Sequence, residues 1–98
     1  MQHRSYFVDQ VTASGADFPA VGGKLLVVRR PESPDLDWEL VVQTKQRHPV
    51  DQAPYDLRIA GPDGSFNGSA ILVRSDGHSH VFRGAGDLNG FTDADFRA

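Results

Sequence analysis

His78 and His80 stand two residues apart in the run Gly77-His78-Ser79-His80-Val81. On a β-strand that spacing directs both imidazoles to one face, close enough together to hold Zn²⁺ or a similar metal. A third ligand would then have to come from His48, His3 or a distant carboxylate. The competing expectation is that both are exposed polar residues beside a hairpin turn, and on that reading no metal or other cofactor is expected.

In these residues alone the pair resembles the His-x-His element of cupin barrels. The acidic residue that follows in that family is absent, since Val81 to Gly86 intervenes before Asp87. The stretch Asp87 to Asp95 places oxygen-bearing side chains near the spacing of a calcium loop. It lacks the third oxygen ligand before the turn glycine, so turn formation and a helix start explain it better. Gly84-Ala85-Gly86 follows a strand as a nucleotide-binding loop would, but too little chain follows it for a βαβ unit. Serines, histidines and carboxylates are present, yet none falls in a pattern such as Gly-x-Ser-x-Gly or His-Glu-x-x-His. No catalytic residue is assigned, and the reading leans away from an enzyme.

The chain has 98 residues, a formal charge of −3 and no cysteine. One domain over residues 1 to 98 with a single core fits that length. Without cysteine there is no disulfide, thiolate metal site or cysteine nucleophile. Basic residues are scattered, with Arg29-Arg30 the one adjacent pair, so nucleic acid is not expected as a partner. No apolar run approaches a membrane span, and Met1-Gln2-His3-Arg4-Ser5 does not lead into a signal-peptide core. The expectation is a soluble, cytoplasmic protein without a membrane partner. Arginine outnumbers lysine eight to two, a bias that suggests GC-rich coding sequence and a bacterial source.

The elements that must position any site read as strands. Ser5 to Thr12 alternates with apolar residues on both faces, which leaves its orientation open. Residues 14 to 23 hold three glycines and a proline and read as a loop, with Phe18 and Val21 free to tuck onto the core. Lys24 to Arg30 is apolar on both sides, as a central strand is. From Asp37 the alternation is clean, with Trp38, Leu40, Val42 and Thr44 on one face. Residues 46 to 54 carry two prolines and form a connection, with room for one helical turn.

Between Tyr55 and Arg83, two Asp-Gly pairs, Asp63-Gly64 and Asp76-Gly77, punctuate a three-stranded meander. Loops of two or four residues centred there set Leu57 opposite Ala70, Tyr55 opposite Leu72, and Leu72 opposite Val81. The core face then reads Tyr55, Leu57, Ile59, Gly68, Ala70, Leu72 and Val81, edged by Arg74 and Arg83. The other face places Ile71 opposite Phe82 and Val73 opposite His80, an apolar cluster on the wet side. Near the C-terminus, Thr92 and Asp95 form an N-cap pattern for one short turn.

The fold class that follows is all-β, a small antiparallel sandwich or open barrel of five or six strands, with α+β carrying one short helix as the alternative. The function expected is a non-catalytic interaction or assembly module. It would bind a protein partner or a second copy through Ile71, Val73, His80 and Phe82. The alternative is a barrel that binds a small ligand or metal through His78 and His80, with or without catalysis.

Overall fold

The computed structural model describes residues 1–97. Strands β1 (Gln2–Val8), β2 (Gln10–Ala13), β3 (Ala16–Phe18), β4 (Ala20–Arg29), β5 (Leu36–Thr44), β6 (Pro54–Gly61), β7 (Gly64–Ser75) and β8 (Ser79–Gly84) are followed by a 3₁₀ turn at Asp93–Arg97. All pairings are antiparallel, in the order β1-β4-β5-β8-β7-β6-β2-β3, and the sheet curls into a half-barrel. The all-β class is as expected, but the strands number eight rather than five or six. Two expected features account for the difference. The Ser5–Thr12 run is two strands broken at Asp9, and the 14–23 loop is a turn at Ser14-Gly15 followed by β3 and the start of β4. The 46–54 connection contains no helix and the C-terminal stretch forms only the 3₁₀ turn at Asp93–Arg97 among the described residues, so the α+β alternative, which needed a helix in one of the two, does not hold.

The break at Asp9 joins the ends of the sheet. Val8 pairs with Gly23 on β4, whereas the Asp9 N–H already donates to the carbonyl of Ala60 on β6 at 2.8 Å. One residue thus carries the chain from one flank of the sheet to the other. It also resolves the mixed pattern: Tyr6 and Val8 point inward, the extra residue resets the phase, and Val11 points inward too. Phe18 tucks into the core as expected, while Val21, beside a bulge at Ala20/Gly22, lies exposed.

Leu25, Val27, Leu40, Val42, Leu57, Ile59, Leu72 and Phe82 fill the interior, and Trp38 closes one end. The indole packs against Gly68 and Gly84, where side chains would collide with it, and its Nε1–H donates to the carbonyl of Gly86 at 3.0 Å. Burying the ring leaves that polar group satisfied. Leu88, Phe91 and Phe96 continue the plug, and Arg29 ties the 3₁₀ turn down through Asp93 at 2.6 Å. The Thr92–Asp95 pattern is realised in part, since the Asp95 carboxylate accepts from the Thr92 N–H at 2.8 Å.

The meander is present, but both turns sit one residue away from the Asp-Gly centres. Gly61 pairs with Gly64, which puts Pro62-Asp63 at the first turn. That moves the first hairpin by two in register sum and leaves its faces unchanged: Leu57 is opposite Gly68 and Tyr55 opposite Ala70. At the second turn the centre is Gly77-His78, with Gly77 at φ 98°, a conformation that suits glycine. The Asp76 carboxylate accepts from the N–H groups of Ser79 (2.7 Å) and His78 (3.1 Å), which holds it below the ordinary carboxylate range.

A bulge on β7 between Leu72 and Arg74 then changes the phase, so that Leu72 pairs with Phe82 and Arg74 with Val81. Phe82 and His80 therefore turn inward with no accessible surface, while Val81 turns outward. The expected face of Ile71, Val73, His80 and Phe82 does not exist as a unit.

Candidate functional sites inside and outside the curled sheet

Two groups of residues stand out, one at the mouth of the half-barrel opposite Trp38 and one on its outer face. At the mouth, β8 carries His80 inward beside Thr44, the last residue of β5. Ser75 ends β7 as its cross-strand partner. Thr44 Oγ1 donates to the carbonyl of Gln46 at 2.7 Å and so presents a lone pair to His80 Nε2 at 3.4 Å. This chain assigns the tautomer: Nε2 carries the proton, and Nδ1 accepts from Ser75 Oγ at 2.7 Å. Phe18 and His48 meet the imidazole edge-on, with ring centroids 5.2 Å and 6.4 Å away. Burial, followed by the neighbouring His48, pushes the His80 imidazole below its ordinary value of 6.5.

Ser75 and His80 lie at the distance of a nucleophile and its base. The ring has no exposed surface, however, and Thr44 rather than a carboxylate stands behind it. The pair thus lacks the orienting carboxylate of a catalytic triad. Nor do the histidines form a chelate. His80 has both nitrogens engaged, His78 is exposed in the turn with Nδ1 3.4 Å from the Thr44 carbonyl, and His3 lies on β1, paired with Val28. Among the described residues, no group of three or more His, Cys, Asp or Glu side chains is placed to hold a metal ion.

On the outer face, the ladder fixes which side chains are neighbours. One row runs Phe7, Lys24, Val41, Val81, Arg74, and the next runs Ser5, Leu26, Glu39, Arg83, Ile71. Diagonal neighbours lie within reach of one another. Phe7, Leu26, Val41, Val81 and Ile71 thus form one apolar stripe across five strands, with Val73 at its end. Phe7 is 73 % exposed, Ile71 44 %, Val73 40 % and Leu26 39 %, while Val41 and Val81 are half-buried. Glu39 faces Arg83 at 3.8 Å and Asp37 pairs with Arg30 at 2.8 Å. Lys24 and Arg74 belong to none of the ion pairs among the described residues. Leu26 and Val28 also line a cleft of about 380 Å³ with Arg30, Asp37, Glu39 and Arg83.

The stripe shares only Ile71 and Val73 with the face expected from sequence. Phe7 and Leu26 were missed because each sits in a segment apolar on both sides, where alternation does not say which side is wet.

Elsewhere the outer face is polar. Across β2, β6 and β7 the row reads Thr12, Arg58, Asn67, and Asn67 continues to Asn89 through a backbone bridge and a 2.9 Å side-chain bond. A cleft of about 750 Å³ lies there, lined by Asp56, Arg58, Ser69 and Asp87 among others. Its lining is mostly polar and glycine, with Leu57 and Ala85 among the apolar residues.

No family model, curated protein or solved structure matches this chain. Function must therefore be argued from these surfaces. No helix among the described residues is long and apolar enough to cross a membrane.

Proposed function

We propose that the protein is a non-catalytic interaction module whose outer stripe docks a partner protein. The carrying observation is the continuity of Phe7, Leu26, Val41, Val81 and Ile71 across five strands. Contiguous exposed apolar surface of this kind, rimmed by arginine, has the make-up of an interface centre. The occupant we infer is an apolar segment edged with acidic residues. Lys24 lies inside the Phe7 row and Arg74 ends it, both outside the ion pairs, whereas the carboxylates of Glu39 and Asp37 already face arginines. The alternative of a ligand held inside the half-barrel has less support, because Phe18, His48 and His80 pack together at the mouth.

The test compares partner capture by the wild-type chain, Phe7→Asp, Lys24→Glu and a control, Arg58→Ala, in extracts of the native organism. A protein held by the wild type and by Arg58→Ala, and lost with both stripe variants, is the expected result. Identical capture by all four chains would remove the proposal.

A further inference from the structure

The mouth of the half-barrel is held shut by two segments around one imidazole. His80 has no accessible surface. The 45–53 connection reaches it through Gln46, which accepts from Thr44, and through the His48 ring. The Gly77-His78 turn is tied to the end of β5 and to the connection by two backbone bonds: the Thr44 N–H donates to the His78 carbonyl at 2.8 Å, and the His48 N–H donates to the Gly77 carbonyl at 2.9 Å. Tyr55 Oη, donating to the Asp51 carbonyl at 2.7 Å, holds the far end of the connection.

We propose that His80 is the pin of an acid-released latch, whose uptake of a proton frees the 45–53 connection and the Gly77-His78 turn from the mouth. The inference is independent of the docking surface.

Its physical basis is the mismatch between the hydrogen bonds and the surroundings. The two hydroxyls can accommodate a second proton, because Ser75 Oγ can turn from donor to acceptor and Thr44 Oγ1 already accepts. What they do not supply is charge compensation. The connection presents His48, with Arg47 lying against Gly77. The turn presents His78 and one carboxylate, Asp76, which is exposed and occupied with its own backbone bonds. From β3 comes the Phe18 ring, and from β5 come Val42 and Thr44. An imidazolium here is enclosed beside the His48 ring and the Phe18 ring, with the Gly77 carbonyl and an exposed Asp76 as its partial compensation, and opening the mouth returns it to water.

The sign follows from linkage. The closed form holds the His80 proton less tightly than the open form, whose imidazole titrates near 6.5. Between the closed-state value and 6.5 the open form binds more protons, so opening becomes easier as pH falls through 6.5. The change is at most about tenfold per pH unit for one proton. Above 6.5 the latch is closed and insensitive to pH.

Amide hydrogen exchange read residue by residue, with intrinsic rates divided out, tests this at pH 7.5, 6 and 5 with and without low urea. The expected result has three parts. The Thr44 and His48 amides are less protected than those of Leu25 and Leu40 in the sheet. Their protection is insensitive to low urea, the mark of a local opening. It falls several-fold from pH 6 to pH 5, a step that His80→Gln abolishes. Exchange of the two amides in step with Leu25 and Leu40 under urea would overturn the local latch, and an unchanged step in His80→Gln would overturn the role of His80. Should His80→Gln not fold, the nitrogen shifts of the wild-type imidazoles decide. A His80 that stays neutral in the closed form while the amides lose protection supports the latch; a ring that titrates at 6.5 in the closed form overturns it.

Discussion

Phe7 and Phe82 show how much a side chain's direction changes what a substitution does. Phe82 meets Phe18 and Tyr55 edge-on at 5.9 Å each and has no accessible surface, whereas Phe7 stands outside the sheet. Replacing Phe82 by Asp would remove a ring from a filled core and leave an unpaired carboxylate inside. Each defect costs several kcal/mol, and together they exceed about 4 kcal/mol. That is most of the stability of a domain at the low end of the roughly 5–15 kcal/mol range, where a chain of this length is expected to lie. Phe82→Asp should therefore unfold the chain, while Phe7→Asp should shift stability by no more than about 0.5 kcal/mol. Urea denaturation followed by Trp38 fluorescence measures both, and a Phe82→Asp chain with a wild-type midpoint would contradict the inward placement.

At the scale of elements, β5 and β6 were legible because one face of each is wet. Trp38, Leu40, Val42 and Thr44 alternate with Asp37, Glu39, Val41 and Gln43, which are polar but for Val41; Leu57 and Ile59 alternate with Asp56, Arg58 and Ala60; and all six are buried as read. The second hairpin was not legible past Val73, since the bulge there has no glycine or proline to announce it, and one extra residue reverses every side chain beyond. The break at Asp9 escaped for the same reason, and it hid the exposure of Phe7. Elements are also matched to one another in ways that alternation does not encode. The glycines at 68 and 84 make room on β7 and β8 for the indole from β5. A side chain at 84 would overlap the indole ring itself, which is held by its bond to Gly86 and has little freedom to withdraw. Gly84→Val should consequently cost about 1–3 kcal/mol or more and weaken the indole hydrogen bond. Thermal unfolding together with the Trp38 Nε1–H exchange rate reads both effects, and wild-type values for both would show that the indole is not confined.

For the whole molecule, the question is whether the outer stripe is complementary to itself. In a two-fold dimer built on it, the same patch comes from both copies, so each stripe brings its own Lys24 and Arg74 into one interface. Glu39 and Asp37 are the nearest carboxylates along the rows, each already facing an arginine of its own chain, and Asp76, the carboxylate beside Arg74, is bonded to the Ser79 and His78 amides of its turn. Two copies would therefore place four cations at a dry interface without four free anions to meet them, an arrangement that costs more than the apolar contact returns. The chain is expected to be monomeric at micromolar concentration in low salt, despite the exposed stripe. Raising the salt screens the repulsion without weakening apolar contact, so any self-association should grow with ionic strength rather than fade. Lys24→Glu should move in the same direction at low salt, because it replaces one repelling pair with charges that can meet Arg74 of the other copy. Light scattering across a salt series measures all three. A defined dimer in low salt that Phe7→Asp dissolves would mean that the stripe's occupant is a second copy of this chain rather than an acid-edged partner.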